Sequence, residues 1–193
     1  MNFLAHTVLG SKIPPVLVGN IIADYLRGQH PSLPVKVQFG IQMHRQIDVF
    51  TDKQPEVKEI KSSFAQADQR YIGIVLDVFF DHLLAESFKV TTGENLDSFL
   101  FARTKLIQPY LKELPESVSK KLMNINWMSD YIKWAGMVRS CGVIQRRSKR
   151  NLDLLPYMQV LWEQKEKFRP NFDSLWAKLQ IESDEILKNL PEY

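Results

Sequence analysis

Apolar residues in this chain recur at intervals of three and four, the spacing that gathers side chains on one side of a helix. In Gly40–Asp52, Ile41, Ile47 and Phe50, with Met43 alongside, form such a stripe. Upstream, Pro14 and Pro15 open a helix that runs through Val16, Leu17, Ile21, Ile22, Tyr25 and Leu26 and stops at Gly28. Residues 1–10 fit a short opening helix or a buried N-terminal segment, and Gln29–Pro34, with His30 in it, reads as a loop. A peripheral amphipathic helix is expected from about Glu56 to Gln66. Tyr71–Lys89 is too apolar all round for a surface helix, so it belongs at the centre. Gly93 and Glu94 precede a helix over Leu96–Leu111 that Pro109 kinks or ends, and Pro115 opens a further segment through Met128. The final helices are expected near Leu154–Phe168 and Phe172–Leu190. With no repeat, linker or low-complexity tract, residues 1–193 read as one all-α domain, a helical bundle.

Composition narrows this picture. Eight glycines are too few for many short turn-linked strands. A lone cysteine, Cys141, excludes an intramolecular disulfide framework, is a poor candidate for a zinc site, and suits a reducing compartment. The N-terminus has no basic region before its apolar residues, and His6 interrupts them, unlike a secretory signal. The most apolar window, Tyr71–Ala85, is broken by Asp77, Asp81 and His82, so no membrane span is expected and the protein reads as cytoplasmic. A net charge of +3 is too small to imply nucleic acid.

Polar residues placed inside the apolar helices carry the candidate chemistry. His44, Asp48 and Asp52 are stepped four apart, one turn above another on a helix, with Arg45 nearly in line with Asp52. Imidazole beside carboxylates can hold a divalent metal and a guanidinium can grip a phosphate; the alternative is an exposed ladder of ion pairs. Asn20 and Asp24 repeat the four-residue step, as do Asn2 and His6. Asp77, Asp81 and His82 lie in the most apolar helix, where unpartnered carboxylates cost several kcal/mol each. A metal ion would offset that cost, as would pairing with Arg45 or Arg70. Trp127, Tyr131 and Trp134 read as core, and Gln145–Arg150, with Arg139 before it, is the strongest basic patch. Oxygen and imidazole donors on several helices suit Mn²⁺, Mg²⁺ or Fe²⁺ and point to a metal-dependent phosphoester hydrolase.

Taken in order, Met1-Asn-Phe-Leu-Ala-His6, Gly19-Asn-x-x-x-Asp24, Gly28, Met43-His-Arg-x-Ile-Asp48, Thr51-Asp52 and Leu76-Asp-Val-x-x-Asp-His82 resemble the acyl carrier protein phosphodiesterase family. That resemblance implies an all-helical fold related to the HD-domain metal phosphohydrolases, although Asp81-His82 reverses the His-Asp order of that wider group. It implies removal of the 4′-phosphopantetheine arm from the serine of acyl carrier protein, with a divalent metal, typically Mn²⁺. On that basis Asp24, His44, Asp77 and Asp81 are expected around the metal, with His82 a ligand or proton donor. Asp48 and Asp52 would orient His44 and Arg45, and Arg45 would stabilise phosphoryl charge. His6 and Asn20 would line the substrate site, and Arg146 and Arg147 would dock the acidic carrier. Two other functions fit the same residues. One is a general nucleotide phosphodiesterase or nucleotidase on this scaffold. The other is a non-catalytic module binding an acidic partner through Arg139–Arg150.

Overall fold

The computed structural model describes residues 2–26, 28, 31–148 and 152–191, the side chains at 67, 70 and 117 excepted. His30, Arg150 and the Arg70 side chain therefore lie outside the described residues. The fold is all-α, and no strand occurs among the described residues. Its helices are α1 (Phe3–Leu9), α2 (Pro14–Ile22), α3 (Val35–Lys53), α4 (Pro55–Ser62), α5 (Gln69–Glu86), α6 (Phe88–Thr92), α7 (Leu96–Ile107), α8 (Glu116–Leu122), α9 (Trp134–Arg147), α10 (Leu155–Glu163) and α11 (Lys165–Leu187). Short 3-10 turns at Ala23–Tyr25, Gln108–Glu113 and Asn126–Ile132 join some of them.

The core forms around α5. Leu76, Phe79, Phe80, Leu83 and Leu84 are sealed from solvent, each contributing roughly 1.5–3 kcal/mol of burial. A second close contact pins α2 on α3. A Cβ on Gly19 would sit 2.0 Å from the Val37 carbonyl oxygen, and one on Gly40 would sit 2.1 Å from that of Val16. Only glycine permits so close an approach of two backbones. As a result the Asn20 carbonyl comes within reach of α3 one turn beyond Gly40, where His44 stands.

Several boundaries differ from the sequence expectation for physical reasons. The helix opened by Pro14 becomes a 3-10 turn at Ala23 and ends at Tyr25, short of Gly28. Pro109 ends α7 as anticipated, the chain tightening into a 3-10 turn from Gln108. The last break falls at Gln164, not before Phe172, and Pro170 is held inside α11. Phe168 and Phe172, four apart, are both buried on one face of that helix. Their burial, roughly 1.5–3 kcal/mol each, offsets the ~3 kcal/mol cost of an interior proline. No helix among the described residues is long and apolar enough to cross a membrane.

Candidate metal centre

The buried side of α3 comprises Val37, Gly40, Ile41, His44, Ile47 and Thr51, so His44 belongs to the apolar stripe instead of facing away from it. Its Nδ1–H donates to the Asn20 carbonyl at 2.8 Å. A carbonyl can only accept, so His44 Nε2 is left to face two carboxylates: Asp24 Oδ1 at 3.3 Å and Asp48 Oδ2 at 3.2 Å. A bare nitrogen lone pair aimed at carboxylate oxygens is repulsive. Either a proton or a metal cation must lie between them.

His6 repeats the arrangement from α1. Its Nδ1 is 2.9 Å from Asn20 Oδ1 and its Nε2 is 3.1 Å from Asp48 Oδ1. Asn20 thus orients both rings, one through its side chain and one through its backbone. The rings stack with centroids 3.7 Å apart and planes 18° apart. One nitrogen from each ring and one Asp48 oxygen all lie within 4.8 Å of one another, a group able to hold a metal ion. Imidazole and carboxylate donors without thiolate suit Mn²⁺, Mg²⁺ or Fe²⁺. The imidazoles are buried, whereas the side chains of Asp24 and Asp48 are 40% and 39% exposed, so a substrate can reach the carboxylate side.

Charge follows geometry. Burial opposes a charge on His44, yet its hydrogen bonds to Asp24 and Asp48 raise its pKa to about 9. Burial and the neighbouring His44 lower His6 to about 4, against the pull of Asp48. Burial also pushes Asp24 and Asp48 upward, but bonding to the imidazoles holds both below the usual carboxylate range, Asp48 far below. Without metal, the carboxylates around Nε2 therefore favour a proton on His44 over one on His6.

Asp81 and His82 do other work. Asp81 accepts from the backbone N–H of Leu4 at 2.8 Å and of Ala5 at 3.0 Å, closing the open first turn of α1 from another helix. Burial pushes its carboxyl up to about 7, against the pull of those two N–H groups. His82 donates from Nδ1 to the Tyr131 carbonyl at 2.8 Å, and its ring lies 4.8 Å from that of Trp162. Burial lowers its pKa. Asp77, one turn before Asp81, is pushed up to about 6 by burial, with Asp48 and Asp52 adding to the push. Asp77, Asp81 and His82 stand outside the three-residue group, and Asp24 reaches it through His44. Asp52 leaves the ladder to pair with Lys61 at 2.9 Å, and Arg45 donates to the Gly28 carbonyl at 2.8 Å. Arg146 is exposed in the last turn of α9, while the Arg147 guanidinium lies 4.9 Å over the Tyr25 ring.

A family model described as acyl carrier protein phosphodiesterase matches residues 1–179. The chain belongs to that family. Among curated members, the acyl carrier protein phosphodiesterase of Klebsiella pneumoniae subsp. pneumoniae is 32% identical over 177 residues, 91% of this chain and 90% of that protein. The protein of the same name from Yersinia pestis is 36% identical over 136 residues, 68% of this chain and 70% of its own length. That of Photorhabdus laumondii is 30% identical over 181 residues, 91% of this chain and 89% of its own. No solved structure matches significantly, and the expected likeness to HD-domain proteins has no structural neighbour behind it.

From the sequence, His6 was expected on the substrate side and Asp48 was expected to orient His44; the structure brings both together with His44 in a group that could hold a metal ion. The available signal was the four-residue step from Asn2 to His6 at the front of an apolar segment, the same step that marks Asn20–Asp24 and His44–Asp48. Tyr25 and Lys121, whose ammonium lies 4.5 Å over the Tyr25 ring, had no such signal: 96 residues separate them.

Proposed function

We propose that this protein hydrolyses the phosphodiester between 4′-phosphopantetheine and the serine of acyl carrier protein, returning holo carrier to apo carrier. The observation that carries this reading is the pair of stacked imidazoles whose Nε2 atoms share Asp48, in a chain of the acyl carrier protein phosphodiesterase family. His6, His44 and Asp48 would hold a divalent ion, Mn²⁺ in our reading, with Asp24 alongside. Such an ion lowers the pKa of a bound water and neutralises charge on phosphoryl oxygens.

The remaining work falls to residues of this chain. Asn20 fixes both rings, so neither would turn if an ion replaced the proton at His44 Nε2. As water attacks phosphorus and the P–O bond to the carrier serine breaks, Asp24, exposed and ionised, takes up the water's proton at the open face and passes it to the departing serine oxygen. Lys121 and Arg147, bracketing Tyr25 next to Asp24, neutralise the phosphate as it enters. Arg45 holds the segment after Tyr25 by its bond to Gly28, and Asp77 lies near enough to Asp48 to sense its charge. Asp81 and His82 support the site from behind. One hydrophobic cluster from Leu4 to Ile186 supports a single domain, and the lone buried Cys141 is in keeping with a cytoplasmic enzyme.

Intact-mass measurement of holo carrier incubated with the protein and Mn²⁺ tests this directly. The carrier should lose the mass of its arm, leaving free serine. An unchanged mass with Mn²⁺, Mg²⁺ and Fe²⁺ each supplied overturns the reading.

A further inference from the structure

A cavity of about 470 Å³ is walled in part by residues that adjoin the imidazole–carboxylate group along the chain. Phe3, one turn before His6 on α1, and Tyr25, next in sequence to Asp24, both stand in its wall. The volume falls within the ~300–1,000 Å³ usual for small-molecule sites. One side is a run of rings: Tyr25 on Phe3 with centroids 5.6 Å apart, Phe3 against Trp127 at 5.5 Å, and Trp127 against Tyr131 at 5.9 Å. The other side is a face of α9 bearing Ser140, Val143 and Ile144 at three- and four-residue steps.

The cavity is asymmetric along its length. Lys121 and Arg147 stand over the Tyr25 ring at the end nearest Asp24, and both also line the cavity. At the other end Arg139 is tied to Asp130 at 2.5 Å, so its charge is matched. Between these ends the walls are mainly apolar, with Asn124 and Ser140 as hydrogen-bonding groups. From Arg147 to Gly136 the helix rises ~16 Å at 1.5 Å per residue. The occupant this shape fits has an anionic head beside the imidazole pair and a long, uncharged, amide-bearing tail.

We propose that this cavity is the subsite for the substrate's leaving arm, with the pantetheine chain lying along α9, its phosphate at the Tyr25 end and its thiol toward Gly136. The arm has about thirteen backbone bonds between phosphate and thiol. At the ~3.5 Å that three bonds span in an extended chain, it is on the order of 15 Å long, close to the cavity length. Its geminal methyls meet the aromatic side, and its two amides have Asn124 and Ser140 within the same walls. This proposal rests on the hydrolysis of holo carrier proposed above. It adds the residues that select the arm, as distinct from those that cleave the diester.

Val143→Trp tests it, because Val143 is 42% exposed and bulk can be added there without opening the core. Two quantities are read. One is pantetheine binding, without phosphate, by saturation-transfer NMR. The other is kcat/KM for holo carrier divided by kcat/KM for bis(p-nitrophenyl) phosphate, a diester with no arm. Pantetheine should bind the wild-type protein saturably and at least tenfold more weakly to the variant, and the ratio should fall at least tenfold. Ser140→Phe should act in the same direction, which guards against a folding defect in either protein alone. An unchanged ratio, or no pantetheine binding to a wild-type protein that cleaves holo carrier, overturns the subsite. Pantetheine binding that Val143→Trp abolishes, in a protein that leaves holo carrier intact, supports the subsite and overturns the hydrolase reading instead.

Discussion

Two regions of this molecule set imidazole and carboxylate into apolar helices, and they come to opposite uses. Where α1, α2 and α3 meet, each ring nitrogen Nδ1 is tied to Asn20, and each Nε2 faces a carboxylate oxygen across 3.1–3.3 Å. On α5, Asp81 gives both oxygens to backbone N–H groups and His82 gives its Nδ1 proton to a backbone carbonyl. The residue types are the same; the partners differ. A carboxylate that faces an imidazole nitrogen makes a place for a cation, whereas one that faces a helix N-terminus completes a fold. The two regions are also joined, since Asp81 anchors the helix that carries His6.

Substitutions should separate these uses by the quantity they change. The largest loss of activity is expected from Asp48→Asn, which keeps the shape but removes the charge shared by both rings. Turnover of holo carrier should fall by at least about 100-fold, with bound Mn²⁺ lost by elemental analysis and the thermal midpoint of the metal-free protein only modestly lowered. Asp81→Ala should show the reverse pattern. It leaves two buried N–H groups unpaired, at about 1–3 kcal/mol each, so urea unfolding should report a loss of about 3 kcal/mol while the folded fraction still binds Mn²⁺. From the sequence, Asp81 was expected beside the metal, which would make this substitution abolish turnover instead. Loss of stoichiometric Mn²⁺ from well-folded Asp81→Ala protein would erase the distinction between the regions.

Acidity sharpens the same contrast without mutation. His44 has a folded pKa near 9, above its ordinary value of 6.5. Its contribution to the metal-free fold is therefore fully present below about 6.5 and is lost as pH rises through 9. His6, lowered to about 4, acts the other way: the fold gains stability as pH rises from 4 to 6.5. Above about pH 7, where the buried carboxyls Asp77 and Asp81 have already titrated, the metal-free protein should lose stability toward pH 9 in thermal melts, and that alkaline decline should be absent from His44→Gln. A decline of equal size in that variant would assign the titration elsewhere. The smallest effect concerns docking. Arg146→Glu, which leaves Arg147 in place over Tyr25, should lower kcat/KM for the carrier severalfold at low salt and little at high salt, since exposed charges are screened within about 10 Å at 0.1 M.

The helices were largely legible because burial enforces period: Val37, Ile41 and Ile47 fall on the inner face of α3 as their spacing requires. Boundaries were less so, since Phe168 and Phe172 carry α11 through Pro170, a tertiary effect with no local mark. At the site, four-residue steps found His44, Asp48, Asn20 and Asp24, because one helical turn is a local relation. They could not tell that His6 stacks on His44, or that Asp81 turns to α1, 76 residues away from Ala5. Those facts depend on how closely helices approach, a distance that Gly19 and Gly40 set between α2 and α3. The aromatic residues read as core are split: Tyr131 is buried, while Trp127 is 38% exposed and lines the cavity.

A divalent ion should take the place of the His44 proton between the two imidazoles and Asp48. Calorimetric titration of metal-free protein with Mn²⁺ at pH 7.5, in buffers of different ionisation enthalpy, measures that exchange. The expected result is one Mn²⁺ per chain with release of about one proton, lost in His44→Gln and retained in His82→Gln. Binding that survives His44→Gln, or that His82→Gln abolishes while the fold is kept, would contradict the account.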